Sequence, residues 1–214
     1  MRFKAVLFDL DGTILNTIPD LWHSANYALH TLGYPERTLE EVNSFVGNGV
    51  RMLMKRALPE GVDDDIWEEA VKLQKQFYNM NLAVETRPYE GIPSLLSDLK
   101  KQGYVIGTVS NKYDEAVQRL MDIYYPGVFD IALGSSDTVP LKPDRAMVDI
   151  ALEKLGVSAK DTVYVGDSEV DYRTAVNAEL FPVLVDWGFR SRDVLETTGA
   201  TVIISYPSEL YKYL

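Results

Sequence analysis

A short apolar run that ends in two aspartates one residue apart limits this chain's fold more than any other stretch. Residues 4–17 read Lys-Ala-Val-Leu-Phe-Asp-Leu-Asp-Gly-Thr-Ile-Leu-Asn-Thr. The unbroken run at 5–8 predicts a strand buried on both faces of a parallel sheet. Side chains two apart on an extended chain share a face. Asp9 and Asp11 therefore aim two carboxylates into one small volume beyond the strand's carboxyl end, where open α/β sheets bind ligands. Two anions this close are costly unless a cation or a proton separates their roles. A hairpin turned at Asp11-Gly12 is the competing reading of the same letters, and the rest of the chain weighs against it.

After Thr13 the pattern changes. Residues 18–83 read as helices with no convincing strand. Leu21, Trp22, Ala25, Ala28, Leu29 and Leu32 recur at helical spacing, and Gly33 ends that helix. Thr38 and Glu41 form a capping-box pair for a short helix at 39–45. Gly47-Asn48-Gly49 is a break, a helix resumes at 50–58, and Asp63, Asp64 and Asp65 suit the start of a long helix through Tyr78. From Pro88 onward helix and strand alternate. Helices are expected at 91–101, 113–123, 144–155 and after Asp171, with a terminal one after Pro207. Strands are expected at 104–109, 129–133, 162–165 and 182–185, with an edge strand at 201–204. Such alternation means a parallel sheet with right-handed crossovers. The fold class is α/β: a doubly wound, Rossmann-like core of 1–15 plus 85–214, with an inserted four-helix domain at 16–84.

The net charge of −11 over 214 residues argues against non-specific nucleic-acid binding, which needs clustered Lys and Arg. It argues equally against anionic membrane surfaces. No run approaches the ~18 apolar residues of a membrane span. The absence of cysteine excludes a disulfide framework and fits a reducing cytoplasm, as does an N-terminus without a signal-peptide pattern.

Three expected strands end in polar groups: Asp9/Asp11, Ser110/Asn111 and Asp167/Asp171. A doubly wound sheet brings neighbouring strand ends over one crevice, and the loop carrying Lys142 can reach its rim. Carboxylates without cysteine or histidine suit a hard cation, Mg²⁺ above others. A hydroxyl, a lysine and helix-start amides suit a phosphoryl group. Together they imply phosphoryl transfer. Each residue also has a plainer reading. Asp167 and Asp171 suit a helix N-cap and first-turn acid. Ser110 suits a helix cap, Lys142 a solvated surface lysine, and Lys112 either a phosphate neighbour or an exposed helix start. Arg51, just past the Gly47–Gly49 break, could reach a substrate or simply be solvated. His23 and His30 read as packing or surface residues.

Asp-Leu-Asp-Gly-Thr at 9–13, Ser110-Asn111, Lys142-Pro143 and Gly166-Asp167-Ser168-x-x-Asp171 resemble, in order, the four motifs of the haloacid dehalogenase superfamily. The helical insert after the first motif is similar to that superfamily's alpha-helical cap. Thr17-Ile18-Pro19-Asp20-Leu21, Val46-Gly47-Asn48-Gly49, Asn111-Lys112 and Trp187-Gly188 are similar to its phosphoglycolate phosphatase branch. The resemblance implies that Asp9 is a nucleophile forming an aspartyl-phosphate, and that Asp11 is the acid and then the base. It implies that Asp9, the Asp11 carbonyl, Asp167 and Asp171 surround Mg²⁺. Ser110, the Asn111 amide and Lys142 would hold the phosphoryl oxygens, with Lys112 and the Gly47-Asn48-Gly49-x-Arg51 segment as further substrate contacts. One departure stands out: the helix after the fourth motif usually runs into Ala-Gly, and here it reads Ala178-Glu179.

Two rivals share parts of the pattern. A β-phosphoglucomutase-like phosphotransferase carries the same motifs, but usually has a cap histidine twelve residues after the nucleophile, where this chain has Leu21. A phosphate-binding signalling module, such as a response-regulator receiver, clusters similar groups but is much shorter and lacks a helical insert.

Overall fold

The computed structural model describes residues 3–214. The chain forms two compact units, one of residues up to Asn16 together with Pro88–Leu214, the other of Thr17–Arg87. In chain order the elements are β1 (Ala5–Phe8), β2 (Leu15–Asn16), α1 (Ile18–Thr31), α2 (Leu39–Phe45), α3 (Gly49–Ala57), α4 (Asp64–Asn81), β3 (Arg87–Pro88) and α5 (Ile92–Lys101). There follow β4 (Val105–Tyr113), α6 (Asp114–Tyr124), β5 (Ile131–Ser135), α7 (Ala146–Leu155), β6 (Thr162–Gly166), α8 (Glu169–Asn177), β7 (Phe181–Val185), α9 (Arg192–Glu196) and β8 (Ile203–Ile204).

The larger unit is built on a six-stranded sheet in the order β5-β4-β1-β6-β7-β8, parallel throughout. After β1 the chain builds outward through β4 and β5, then crosses to the other side of β1 for β6, β7 and β8. That reversal sets a crevice at the carboxyl end of β1. Phe8 is level with Thr108 on β4 and with Val165 on β6, so the next residues of all three strands emerge side by side. Leu7, Val109 and Tyr164 pack against Met147, Val148 and Ala151 of α7 and Ala175 of α8. Residues of opposite parity, Val6, Phe8, Ile106 and Val165, are also buried. Both faces are therefore covered, which explains why the strands read as unbroken apolar runs.

The smaller unit is four helices. Pro19 sits in the first turn of α1, where its missing N–H costs nothing. The Thr38–Glu41 capping box forms at the start of α2, with side chain and backbone bonded in both directions. Ala25, Ala28 and Leu29 of α1, Val42 of α2, Met54 of α3 and Val71 of α4 are buried. The Asp20 carboxylate accepts from Glu85 N, Thr86 N and Thr86 Oγ at 2.9, 2.9 and 2.7 Å, tying the start of α1 to the segment beyond α4.

Several expected bounds shift. β4 runs to Tyr113 rather than stopping at Val109, so Ser110, Asn111 and Lys112 lie inside the strand. β5 begins at Ile131, not 129, because the Asp130 carboxylate takes the Ile106 N–H at 2.8 Å in place of a ladder carbonyl. The edge strand shrinks to Ile203–Ile204. The expected terminal helix is a 3₁₀ segment, Pro207–Lys212, in which only Leu210 is buried. No helix among the described residues is long and apolar enough to cross a membrane.

Candidate active site

β1 delivers Asp9 into the crevice, its amide donating to Val165 O at 2.8 Å. The chain then turns tightly, with Gly12 N donating to Leu15 O at 2.9 Å and Leu15 N to Leu10 O at 3.1 Å. Gly12 holds φ +85°, and a Cβ there would press on the Asp167 carboxylate. Glycine is required at this turn on both grounds. Thr13 Oγ donates to Asp167 Oδ1 at 3.3 Å, and the Phe189 amide donates to Asp167 Oδ2 at 2.7 Å. Gly188, one residue earlier, lies so close that a Cβ would meet Gly12 O and Asp167.

On the other side of β1, pairing of β4 with β5 shifts register between Val109 and Tyr113. Ser110, Asn111 and Lys112 occupy that irregular stretch and are buried. The Asn111 side chain clamps the loop before α7: its Nδ2 donates to Lys142 O at 3.0 Å, and Lys142 N donates to its Oδ1 at 2.8 Å. Lys142 is buried, not solvated. Its Nζ lies 2.8 Å from both Asp9 Oδ1 and Asp171 Oδ1 and 3.0 Å from Tyr164 Oη. Lys112 is not an exposed helix start. It is a buried strand residue whose Nζ lies 3.0 and 3.2 Å from the two oxygens of Asp11. Ser110 does not cap α6, whose N-cap is Tyr113; its Oγ accepts from Lys112 N at 3.3 Å.

The N-cap of α8 is Ser168, with Asp171 completing a capping box at the third helical position. Asp171 is thereby engaged on both oxygens: Oδ2 by Ser168, and Oδ1 by Lys142 and Tyr164. Asp167 is not the cap, and its carboxylate points into the crevice.

Oxygen atoms of Asp9, Asp167 and Asp171 lie within 4.8 Å of one another. Asp9 is buried, and its Oδ1 is ion-paired with the Lys142 ammonium at 2.8 Å. Burial, reinforced by Asp171 and Asp11 and opposed by Lys142, pushes the Asp9 carboxyl up to about 7. Burial, with Asp171 and Asp9, likewise holds Asp167 well above the usual carboxylate range. Burial would lower the Lys142 ammonium, but Asp171 and Asp9 outweigh it and hold it well above its ordinary value. Four carboxylates thus face two ammoniums. Three buried carboxylates with oxygens within 4.8 Å of one another, Asp9, Asp167 and Asp171, fit a hard divalent cation bound by oxygen.

The Gly47-Asn48-Gly49 segment and Arg51 belong to the helical unit. The Arg51 guanidinium is paired with both oxygens of Glu68 and stacks over Trp67 at 4.4 Å. Asn48 Oδ1 accepts from Arg56 at 2.8 Å. His23 bonds Glu85 at 3.0 Å on the surface, and His30 is exposed, as expected of surface residues. Sequence reasoning missed Thr13, Phe189 and Tyr164. Thr13 closes the first motif, but no role was read into it; a backbone contact like that of Phe189 leaves no sequence signature, whereas Tyr164, a polar-tipped residue inside a strand expected to be apolar on both faces, did carry a signal.

Residues 6–185 match the haloacid dehalogenase-like hydrolase family. The chain is 32% identical to the phosphoglycolate phosphatase of Aquifex aeolicus over 99% of its own length and 96% of that protein's. It is 34% identical to the phosphoglycolate phosphatase of Nitrosospira multiformis, covering 96% and 93%. A solved structure from Lactobacillus delbrueckii subsp. bulgaricus, of a protein predicted to be a phosphoglycolate phosphatase, superposes with a TM-score of 0.93 at 35% identity, covering 100% of this chain and 98% of that one. With a parallel sheet reversing at β1 and carboxylates gathered at its end, a match spanning both leaves one assignment: the chain belongs to the haloacid dehalogenase-like hydrolases.

Proposed function

We propose that this hydrolase is a Mg²⁺-dependent phosphatase that cleaves a small phosphomonoester through an aspartyl-phosphate on Asp9. The observation that carries the reading is the Asp9 carboxylate. It sits buried at the end of the central strand, with the Lys142 ammonium 2.8 Å from its Oδ1 and the Asp167 and Asp171 carboxylates beside it. In the first step an Asp9 oxygen forms a bond to phosphorus while the bond to the leaving oxygen breaks, and Asp11 gives that oxygen its proton. In the second, Asp11 takes a proton from water as the water oxygen bonds phosphorus and Asp9 is released. Lys142, the Ser110 hydroxyl and the Asn111 amide hold the phosphoryl oxygens as charge spreads over them. Asp9, the Asp11 carbonyl, Asp167 and Asp171 would hold the metal, Asp171 through its orientation of the site rather than a free oxygen. When bound, the ion screens the approach of one anion to another.

The helical unit interrupts the chain directly after the Asp9–Asp11 loop, and we assign it the choice of leaving group, with Gly47, Asn48, Gly49, Arg51 and Lys112 as candidate contacts. The relatives named phosphoglycolate phosphatase make 2-phosphoglycolate the first substrate to try. The test is phosphate release from a panel of phosphorylated metabolites, with Mg²⁺ and with EDTA, by the parent and by Asp9→Asn. Release from one phosphomonoester that EDTA abolishes, and that Asp9→Asn loses while staying folded, is the expected result. Near-parental turnover by Asp9→Asn would remove the nucleophile assignment. Conversion of β-glucose 1-phosphate to glucose 6-phosphate without phosphate release would make the chain a mutase.

A further inference from the structure

Tyr164 belongs to none of the four motifs, yet it touches two of them. It is fully buried near the middle of β6, level with Leu7 on β1. Asp9 is two residues beyond Leu7, so Tyr164 lies one step beneath Asp9 on the same sheet face, the face covered by α7 and α8. A parallel strand buried on both sides normally takes an aliphatic residue at such a point. A buried phenol costs free energy unless its hydroxyl is satisfied. Here it is satisfied completely. It accepts from Lys142 Nζ at 3.0 Å, and its own hydrogen reaches Val109 O and Asp171 Oδ1, both at 3.3 Å.

We infer that Tyr164 is a positioning residue that fixes the Lys142 ammonium from beneath, so that its remaining N–H faces Asp9 and the transferred phosphoryl group. A lysine ammonium has three donors and no directional preference of its own. Tyr164 and Asp171 take two of them. The third is then directed at the Asp9 side, where Oδ1 is 2.8 Å away. Asn111 clamps the Lys142 backbone in both directions, so the side chain is held at its root and at its tip. Without the hydroxyl, a buried N–H loses its acceptor and the ammonium is drawn toward Asp171. Ground-state binding, spread over many contacts, changes little. Charge stabilisation in the transition state, which depends on where the ammonium sits, weakens.

The inference rests on Lys142 being the phosphoryl-holding cation, and the experiment separates the two. Tyr164→Phe and Lys142→Met are compared with the parent on the best substrate of the panel, with kcat referred to the folded fraction. Tyr164→Phe is expected to lower kcat about tenfold, to leave KM within about twofold, and to weaken inhibition by orthovanadate by about the same tenfold, since vanadate mimics the transferring group. A merely structural role would reduce the folded fraction and leave vanadate inhibition unchanged, which would overturn the inference. An unchanged kcat beside an inactive Lys142→Met would overturn it and spare the reading of Lys142. Near-parental activity of Lys142→Met would overturn that reading, and the inference with it. If Tyr164→Phe does not fold, or no substrate turns over, the parent labelled with ¹⁵N-lysine decides. One slowly exchanging ammonium signal with a nuclear Overhauser contact to the Tyr164 ring is expected, and its absence overturns the inference.

Discussion

Glu179 is the one non-glycine residue with positive φ among those described, at +59°. It occupies the position just beyond the cap of α8, where the backbone closes a Schellman turn: Leu180 N donates to Ala175 O at 2.9 Å and Glu179 N to Val176 O at 3.1 Å. Glycine is the usual occupant because a Cβ in the left-handed region costs about 1–2 kcal/mol. Its side chain makes an ion pair with Arg145 at 3.6 Å, between largely exposed groups, worth little in water. Glycine's extra freedom in the unfolded chain offsets part of the gain. Glu179→Gly should therefore stabilise the protein by about 0.5–1 kcal/mol, raising Tm by roughly 2 °C, with kcat unchanged. A calorimetric Tm at or below the parent's would contradict this. The departure from Ala-Gly was visible in the sequence. Its outcome was not, because whether the turn bends or the residue takes the strain depends on Ala175 and Leu180, both buried in the core with Leu7, Val109 and Tyr164.

At the scale of elements, the six strands of the parallel sheet were legible because they are short apolar runs, and three of the four chemical groups were legible because each follows such a run; the order of the strands in the sheet and the two-residue β2 and β3 were not. The boundaries were not. β4 keeps going through Ser110, Asn111 and Lys112 although those residues are polar, since their side chains find buried partners on Lys142 and Asp11 rather than water. Hydrophobicity alone cannot see a polar segment that is buried because its partners are. The loop after β7 was equally hidden. It presses Gly188 against Gly12 O and Asp167 and donates the Phe189 amide to Asp167. Trp187 fastens the same loop, its Nε1 donating to Thr13 O at 3.0 Å. A methyl at Gly188 meets backbone and a buried carboxylate, neither of which can move aside cheaply. Gly188→Ala should fold, because the loop is outside the sheet, but should swing Asp167 and its Phe189 partner out of register. We expect a loss of Mg²⁺ affinity of about 10–100-fold, the scale found when an outer partner of a metal ligand is removed, measured by titration calorimetry on the EDTA-stripped protein. Unchanged affinity would mean that Asp167 is not a ligand.

For the whole molecule, the excess of buried carboxylates predicts how stability answers to pH and metal together. Asp9 titrates near 7 and Asp167 is also raised, while in the unfolded chain both return to the ordinary carboxylate range. Between those limits the folded, metal-free protein holds protons that the unfolded chain has released. Through the Asp9 carboxyl, stability then falls as pH rises from about 4 to 7, and the raised Asp167 acts in the same direction. The acids held low, Glu41, Glu68, Asp161 and Glu209, are solvent-facing groups. Their stabilisation disappears only as pH drops below the usual carboxylate range, so they do not shape this window. A divalent cation must displace the retained protons to bind, so it stabilises the folded state more where those protons have already left. The EDTA-treated protein should therefore lose Tm steadily from pH 5 to pH 8. Saturating Mg²⁺ should flatten that slope, and the increase in Tm on adding Mg²⁺ should be larger at pH 8 than at pH 6. An equal increase at both pH values would show that the cation does not bind through Asp9 and Asp167. An increase that survives intact in Asp9→Asn at pH 8 would place the metal elsewhere in the molecule. Sequence composition could never have supplied this argument, because a net charge of −11 does not reveal that Asp9, Asp167 and Asp171 are buried together beyond the ends of two neighbouring strands.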